Sequence, residues 1–225
     1  VSAAAPIDPA VGKWLVDIGF TFLQGYGLTE TAPIEALTPD FDPRVGSAGK
    51  AVYGDEIKVK NPNEKGEGEL LIRGETVGYY EDPAATAAVM EDGWFNSGDV
   101  GYMDEDGFIY ITGRSKNVIV TQNGKNIYPE EIESKLNNMP FIMESLVIEK
   151  DGRLVALVYP DYEAVDDYGI ANEDLPVAME EIRKNLNKEV APYEQIAKIH
   201  LYPTEFEKTP KRSIKRYLYT NFSPI

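Results

Sequence analysis

The alternation of apolar and polar positions divides this chain into three stretches of different rhythm. In the first, Asp8-Pro9 offers a helix start, with Asp as N-cap and Pro at the first helical position. Val11, Trp14, Leu15 and Ile18 follow at helical spacing, and Gly19 is a natural stop. Phe20 to Gln24 reads as a short buried strand, which delivers the string Gly25-Tyr26-Gly27-Leu28-Thr29-Glu30-Thr31 past its end. Between residues 38 and 113, Gly and Pro punctuate short strand-like runs: 56–60, 69–73 and 108–112. Asp82-Pro83 opens a short Ala-rich helix to about Met90, and Asp106-Gly107 reads as a hairpin turn. This middle stretch predicts a small distorted β-barrel or sheet.

Gly113-Arg114-Ser115-Lys116 reads as a linker, after which the pattern restarts. Val118-Ile119-Val120 predicts a strand, Asn123-Gly124 a turn, and Tyr128-Pro129-Glu130-Glu131 a helix entry that buries Ile132 and Leu136. Residues 146–148 and 154–158 predict a hairpin around Asp151-Gly152. A helix from about Leu175 to Asn187 carries Met179, Ile182 and Leu186 on one face, and 196–201 predicts a further strand. Asp161 to Asp174 reads as a solvated acidic loop. The fold expected is thus α/β and α+β: a strand/helix piece with a small β-barrel over 1–113, a hinge at 114–117, and a compact α+β domain over 118–225.

Composition narrows the partners. Acidic residues outnumber basic ones 38 to 22, a net charge of −16, which argues against nucleic acid or anionic lipid as a main partner. No run approaches the roughly 18 apolar residues of a membrane span. The start, Val1-Ser2-Ala3-Ala4-Ala5-Pro6, has no basic segment, no long apolar core and no Met, so it resembles a chain begun in mid-protein rather than a signal peptide. Without cysteine there is no thiol nucleophile or thiolate metal site, and with His200 as the sole histidine there is no His cluster. A cytoplasmic location is compatible with this. His200 itself reads as structural.

The chemistry-bearing string is Gly25 to Thr31. It combines an aromatic face, a hydroxyl, a carboxylate and glycines that let backbone approach a ligand. That set suits a nucleotide with its magnesium, a hard cation that shares carboxylate and phosphate oxygens. A plain Gly-rich turn is the other reading of the same residues.

Further motifs, in order, decide between them. Gly25–Thr31, Gly68-Glu69-Leu70 with Gly74, Gly78-Tyr79 and Pro83-Ala84-Ala85-Thr86, then Gly93-Trp94-Phe95-Asn96-Ser97-Gly98-Asp99, then Gly113–Asn117 followed by 124–133, together resemble the adenylate-forming enzymes. That family includes acyl-CoA synthetases, peptide-synthetase adenylation domains and luciferase. The form Asn-Gly-Lys-Asn-Ile-Tyr-Pro-Glu-Glu is most similar to long-chain fatty-acid–CoA ligases. The resemblance implies ATP, magnesium, a fatty acid and coenzyme A as ligands, with acyl-adenylate formation followed by thioester formation and release of AMP. It also implies a rotation of the small domain between the two steps.

Site roles follow from the resemblance. Tyr26 would stack on adenine, Gly27 would let backbone approach, Thr29 would contact the phosphate, and Glu30 would hold Mg²⁺. Asp99 would accept from the ribose hydroxyls, and Arg114 would donate to ribose or phosphate oxygens. Trp94 and Phe95 would brace Asp99. Lys116 would be the pivot, Gly124 and Lys125 would line the pantetheine path, and Ser2 to Ala5 would flank the acyl pocket.

Two departures stand out. On the family pattern, the chain would be a C-terminal fragment, with the phosphate loop and most of the acyl pocket in a preceding part of the protein. In the closing Thr-x-x-x-Lys-x-x-Arg motif, Ser213 takes the register of the lysine that bridges carboxylate and α-phosphate. An extended segment would put Lys211 and Lys215 on the same face as residue 213, and Lys215 is the preferred substitute. Loading of an acyl-carrier protein, or a non-catalytic nucleotide-binding or interaction role, are the alternatives.

Overall fold

A computed structural model describes residues 7–31, 33–74, 78–121, 123–210, 212–220 and 222. The chain divides into two compact units, Val1–Lys116 and Asn117–Ile225.

The first unit opens with helix α1 (Pro9–Asp17), capped as expected: Asp8 Oδ1 accepts from the backbone N–H of Ala10 and Val11 at 2.8 and 3.1 Å. Its end is a left-handed glycine cap. Gly19 N–H bonds to the Val16 carbonyl and Phe20 N–H to the Leu15 carbonyl. That cap corrects the strand expected over 20–24. Because the Phe20 amide is committed to the helix, Phe20 is exposed and backbone pairing starts at Gln24, whose carbonyl accepts from the Thr38 amide, with β1 (Gly25–Tyr26) directly after it. The helical stripe also faces outward: Val11, Trp14 and Ile18 are exposed, and the helix packs through Gly12, which is buried against Val45 and Phe22.

Strand β1 pairs antiparallel with β2 (Ala36–Leu37), which pairs with β3 (Lys50–Ala51). A second sheet follows from β4 (Glu56–Lys60) and β5 (Gly68–Arg73), then helix α2 (Pro83–Val89) capped by Asp82, β6 (Met90–Glu91), β7 (Trp94–Met103) and β8 (Ile109–Arg114). Its order is β4-β5-β7-β6 with β8 on β7, all antiparallel. A bridge between Gly49 and Ile109 joins the two sheets, so they form a curled half-barrel. Strand β7 is an element the hydrophobic pattern concealed, because its glycines and polar residues read as a motif and not as a strand. Ala36, Ile57, Leu70, Ile72 and Ile109 form the core between the sheets.

The second unit begins with the hairpin β9 (Ile119–Val120) and β10 (Asn126–Ile127), then helix α3 (Pro129–Asn137). Strands β11 (Ile142–Lys150) and β12 (Arg153–Pro160) pair across a turn at Asp151-Gly152, and β13 (Ile196–Leu201) joins β12 in parallel. Both faces of this sheet are buried. Val147, Leu154, Ala156 and Val158 face helix α3 and helix α5 (Leu175–Glu189), while Leu146, Ile148, Val155 and Leu157 face Phe206 and Tyr219 of the tail. The acidic 161–174 stretch is not a plain loop. It holds a further helix, α4 (Tyr162–Asp167), because Asp161 caps the Ala164 amide and Val165 is wholly buried. His200 lies partly buried on β13, edge-on to Phe222.

Two ion pairs among the described residues fasten the tail: Lys208 pairs with Glu144 of β11, and Arg216 with Glu133 of α3. Arg216 Nη1 donates to both oxygens of buried Glu133 at 2.7 and 2.8 Å, and Arg216 Nη2 donates to the Val147 carbonyl. The Val147 amide donates to the same carboxylate at 2.6 Å. Upstream, the segment is not extended as expected. Thr209 N–H bonds to the Ser213 carbonyl, Arg212 N–H bonds to the Thr209 carbonyl with φ 63° at Arg212, and Lys208 bridges Ile214. Thr209, Arg212 and Ser213 therefore close a tight hairpin turn, and the extended segment on which the two-residue face argument rests is absent there among the described residues.

Burial pushes the Glu133 carboxyl up to about 7, against the opposing pull of Arg216 and the Val147 amide. The folded state thus binds this proton more tightly than the unfolded state. Its contribution to stability is full below the ordinary Glu value of about 4.3 and falls as pH rises toward 7. Thermal midpoints of the wild type measured from pH 4.5 to 7.5 should fall relative to those of Glu133→Gln across that window; parallel profiles would contradict the assignment.

Candidate functional site

The register of β7 creates the first cluster. Leu71 pairs with Asn96 and Glu69 with Val100, so Leu70 alone on β5 faces Ser97, Gly98 and Asp99 on β7. This is a bulge, a device that re-aims side chains beside functional sites. Gly98 takes φ 68° within it. The Ser97 hydroxyl donates to the Leu70 carbonyl at 2.7 Å and accepts from the Asp99 amide at 3.1 Å, which fixes the bulge.

Asp99 is the residue the bulge presents. Only 4% of it is exposed. Oδ2 accepts from the Tyr26 hydroxyl at 2.7 Å, and Oδ1 pairs with Arg114 Nε at 2.8 Å. Asp99 and Arg114 are direct cross-strand partners of β7 and β8. The buried carboxylate is therefore compensated by a phenol from one sheet and a guanidinium from the end of another strand, as a buried charge requires. Burial, followed by the charge of Asp99, pushes the Tyr26 phenol far above its ordinary value, so its hydroxyl remains a donor at neutral pH. Two carboxylate oxygens offer about four acceptor positions, and half of the Arg114 side chain is exposed beside them. The exposed part of Arg114 can therefore donate to a ligand beside the carboxylate. Tyr26 does not stand free: its ring packs against the sheet core with Leu28.

The loop after β1 carries the next two residues. Thr29–Thr31 form a single 3₁₀ turn with Thr29 exposed. Gly27 is required for the path of this loop, since a Cβ there would lie 1.9 Å from the Pro33 carbonyl oxygen. Glu30 accepts from the Tyr79 hydroxyl at 3.1 Å. Tyr79 belongs to the Gly78-Tyr79 motif, but its pairing with Glu30 has no local signal, because the two lie 49 residues apart. Glu30 is partly exposed and offers hard oxygen ligands. One carboxylate completed by phosphate oxygens and water suits Mg²⁺. Among the described residues there is no cluster of three or more His, Cys, Asp or Glu side chains that could hold a metal without such help.

In the second unit, Gly124 and Lys125 shape the β9–β10 turn. Gly124 N–H bonds to the Thr121 carbonyl, and Lys125 N–H to the Thr121 hydroxyl at 2.9 Å. The Lys125 ammonium lies 4.9 Å from the Tyr193 ring centre. Lys116 is exposed in a 3₁₀ turn at Ser115–Asn117. Lys215 stands on the stem of the tail hairpin, where its ammonium pairs with Glu207 at 3.2 Å. Ser213 is exposed in the turn. Lys211 and Ser2 to Ala5 lie outside the described residues. The structure therefore joins Tyr26, Asp99 and Arg114 directly, ties Glu30 to Tyr79, and places Gly124, Lys125 and Lys215 on separate hairpins of the second unit.

Comparison with known proteins identifies the family. Residues 1–80 match the family described as AMP-binding enzyme, and residues 116–223 match the AMP-binding enzyme C-terminal domain. The chain is 34% identical to the long-chain-fatty-acid–CoA ligase FadD15 of Mycobacterium bovis over 96% of its own length and 39% of that protein. It is 37% identical to the 2-succinylbenzoate–CoA ligase of Bacillus licheniformis over 76% of its length and 36% of that protein. Among solved structures, the o-succinylbenzoate coenzyme A synthetase of Bacillus subtilis in complex with ATP and magnesium superposes with a TM-score of 0.78 at 27% identity, covering 96% of this chain and 44% of that one. The chain thus spans about two fifths of the length of these relatives, and it belongs to the adenylate-forming AMP-binding enzymes, among relatives that are acyl- and aryl-CoA ligases.

Proposed function

We propose that this chain is the C-terminal part of an ATP-dependent long-chain fatty-acid–CoA ligase working in the cytoplasm. The observation that carries the reading is the Tyr26–Asp99–Arg114 constellation on the β7 bulge. It is a buried acceptor with a charged donor beside it, suited to a vicinal diol such as a ribose. The identity to FadD15 supports the long-chain acid, whereas other relatives are named for succinylbenzoate and feruloyl groups.

In the first half-reaction a carboxylate oxygen attacks the α-phosphorus of ATP and the bond to pyrophosphate breaks. Asp99 and Arg114 hold the ribose and nearby phosphate oxygens, Tyr26 lies against the adenine, and the Thr29 hydroxyl meets the phosphate. Gly27 lets the backbone come close, and Glu30 would hold a magnesium ion, which would offset phosphate charge. In the second half-reaction the coenzyme A sulfur attacks the acyl carbon, and AMP leaves. Gly124 and Lys125 line the path of the thiol arm. Residues 1–113 belong to the large domain, 118–225 to the mobile one, and 114–117 form the hinge around Lys116. In support, the two compact units divide within that hinge. The phosphate loop and most of the acyl pocket come from the rest of the protein.

A second reading, a descendant that binds nucleotide without adenylating, has one observation in its favour. Ser213 occupies the lysine register, and the nearest described substitute, Lys215, is paired with Glu207. We assign the bridging role to Lys215, with Lys211 as its alternate, and release from Glu207 is the step that would free it.

The test is thioester formation by the full-length protein from palmitate, ATP and either coenzyme A or acyl-carrier protein. Palmitoyl-CoA with equimolar AMP is the expected product, and Asp99→Ala should lower kcat/KM for ATP at least about tenfold, the loss of ~1.4 kcal/mol or more of binding. Product on carrier protein alone would favour the loading enzyme instead.

A further inference from the structure

Gly78-Tyr79 and Pro83-Ala84-Ala85-Thr86 form a motif to which the nucleotide chemistry above gives no role. The structure ties it to the loop that carries Glu30. The Tyr79 hydroxyl donates to Glu30 Oε1 at 3.1 Å. Burial, then the hydrogen bond and charge of Glu30, raise the Tyr79 phenol above its ordinary value, so the hydroxyl remains a donor at neutral pH. One oxygen of Glu30 is thereby taken by a neutral donor, and Oε2 is left for a ligand.

Tyr79 is itself held by the first turn of α2. The Thr86 hydroxyl accepts from the Tyr79 amide at 2.9 Å and donates to the Asp82 carbonyl at 2.9 Å. The Asp82 amide donates to the Tyr79 carbonyl at 3.3 Å, and Asp82 Oδ1 caps the Ala85 amide at 2.9 Å. Gly78 makes this close approach possible. It takes φ 73°, and a Cβ there would lie 2.7 Å from Thr86 Cγ2. All the bonds that close this turn go to the backbone of Tyr79. Its hydroxyl is therefore not needed to start the helix, and its bond to Glu30 serves something other than the local fold.

We propose that Tyr79 is a positioning residue for the nucleotide's magnesium: its hydroxyl fixes the orientation of the Glu30 carboxylate by Oε1, so that Oε2 is the metal ligand. The inference rests on the proposed role of Glu30. Magnesium demands near-ideal octahedral geometry, so a carboxylate on an exposed loop serves it best when its rotation is already fixed. Partners that hydrogen-bond a ligating carboxylate supply that orientation. A phenol suits the task because it is neutral. A lysine in its place would cancel the negative charge that attracts the cation. Glu30 is partly exposed on a single 3₁₀ turn, and Tyr79 links it to a helix start that is closed by its own hydrogen bonds.

The experiment is equilibrium dialysis of the full-length protein against ATP, once with excess Mg²⁺ and once with EDTA, with no acid present so that nothing turns over. The readout is the ratio of the two dissociation constants, the gain in ATP affinity that magnesium brings. Tyr79→Phe keeps the ring and every backbone bond. It should lower that ratio at least about threefold and leave the magnesium-free constant unchanged. Glu30→Gln should lower the ratio at least as far. A ratio unchanged in Tyr79→Phe but lost in Glu30→Gln overturns the proposal and leaves the role of Glu30 standing. A ratio unchanged in both overturns the reading of Glu30 as the magnesium ligand, and the proposal with it. Equal weakening with and without magnesium leaves the ratio unchanged and makes Tyr79 a part of the scaffold, which also overturns the proposal. If Tyr79→Phe fails to fold, Thr86→Val, which releases the Tyr79 amide, carries the comparison: a lowered ratio supports the proposal and an unchanged one overturns it.

Discussion

One buried carboxylate sets the terms for the first unit. Asp99 is almost fully shielded from water, and a shielded charge survives only with charged or strongly polar partners at close range. Tyr26 and Arg114 are those partners, and each must come from a different strand. To aim Asp99 at both, β7 gives up regular pairing with β5 and takes a bulge, which Ser97 pins through its hydroxyl. Local sheet regularity is thus sacrificed where the site is built, a common signature of a binding position. Any ligand that adds donors to Asp99 replaces or supplements a contact already made, so the site is organised before it is filled.

The second unit depends on a different charge. Arg216 draws the tail onto the sheet by pairing with Glu133 and with the Val147 carbonyl. Phe206 and Tyr219 then cover the face that α3 and α5 leave open. The hairpin that carries Ser213 and Lys215 projects from this anchored base. Its stem is held by the Lys208–Glu144 pair and by Arg216, and its turn by the bonds between Thr209 and Ser213.

Local signals made much of this readable. Asp8 and Asp82 before Pro marked two helices, Asp151-Gly152 marked a hairpin, and the spacing of Met179, Ile182 and Leu186 marked the buried face of α5. What stayed hidden depends on contacts distant in sequence or on unusual local geometry. The Gly19 cap spends the Phe20 amide and moves β1 downstream. Glycines at 98 and 101 disguised β7, and charge disguised α4. The turn at 209–213 rests on a positive φ at Arg212, a residue type that gives no warning of it. Of the site, the residues on each motif were visible, but their pairing was not. Tyr26 with Asp99 joins positions 73 apart, and Glu30 with Tyr79 positions 49 apart.

Under the proposed function, this site serves adenylation of a long-chain acid with Ser213 standing in the lysine register of the family's closing motif. ATP–pyrophosphate exchange in the full-length protein tests it most directly, with palmitate as the acid. The account predicts palmitate-dependent exchange in the wild type that collapses in Lys215→Ala and in Asp99→Ala. Absence of exchange in the wild type, with exchange restored by Ser213→Lys, would contradict it and make the chain a nucleotide-binding descendant that has lost the first half-reaction.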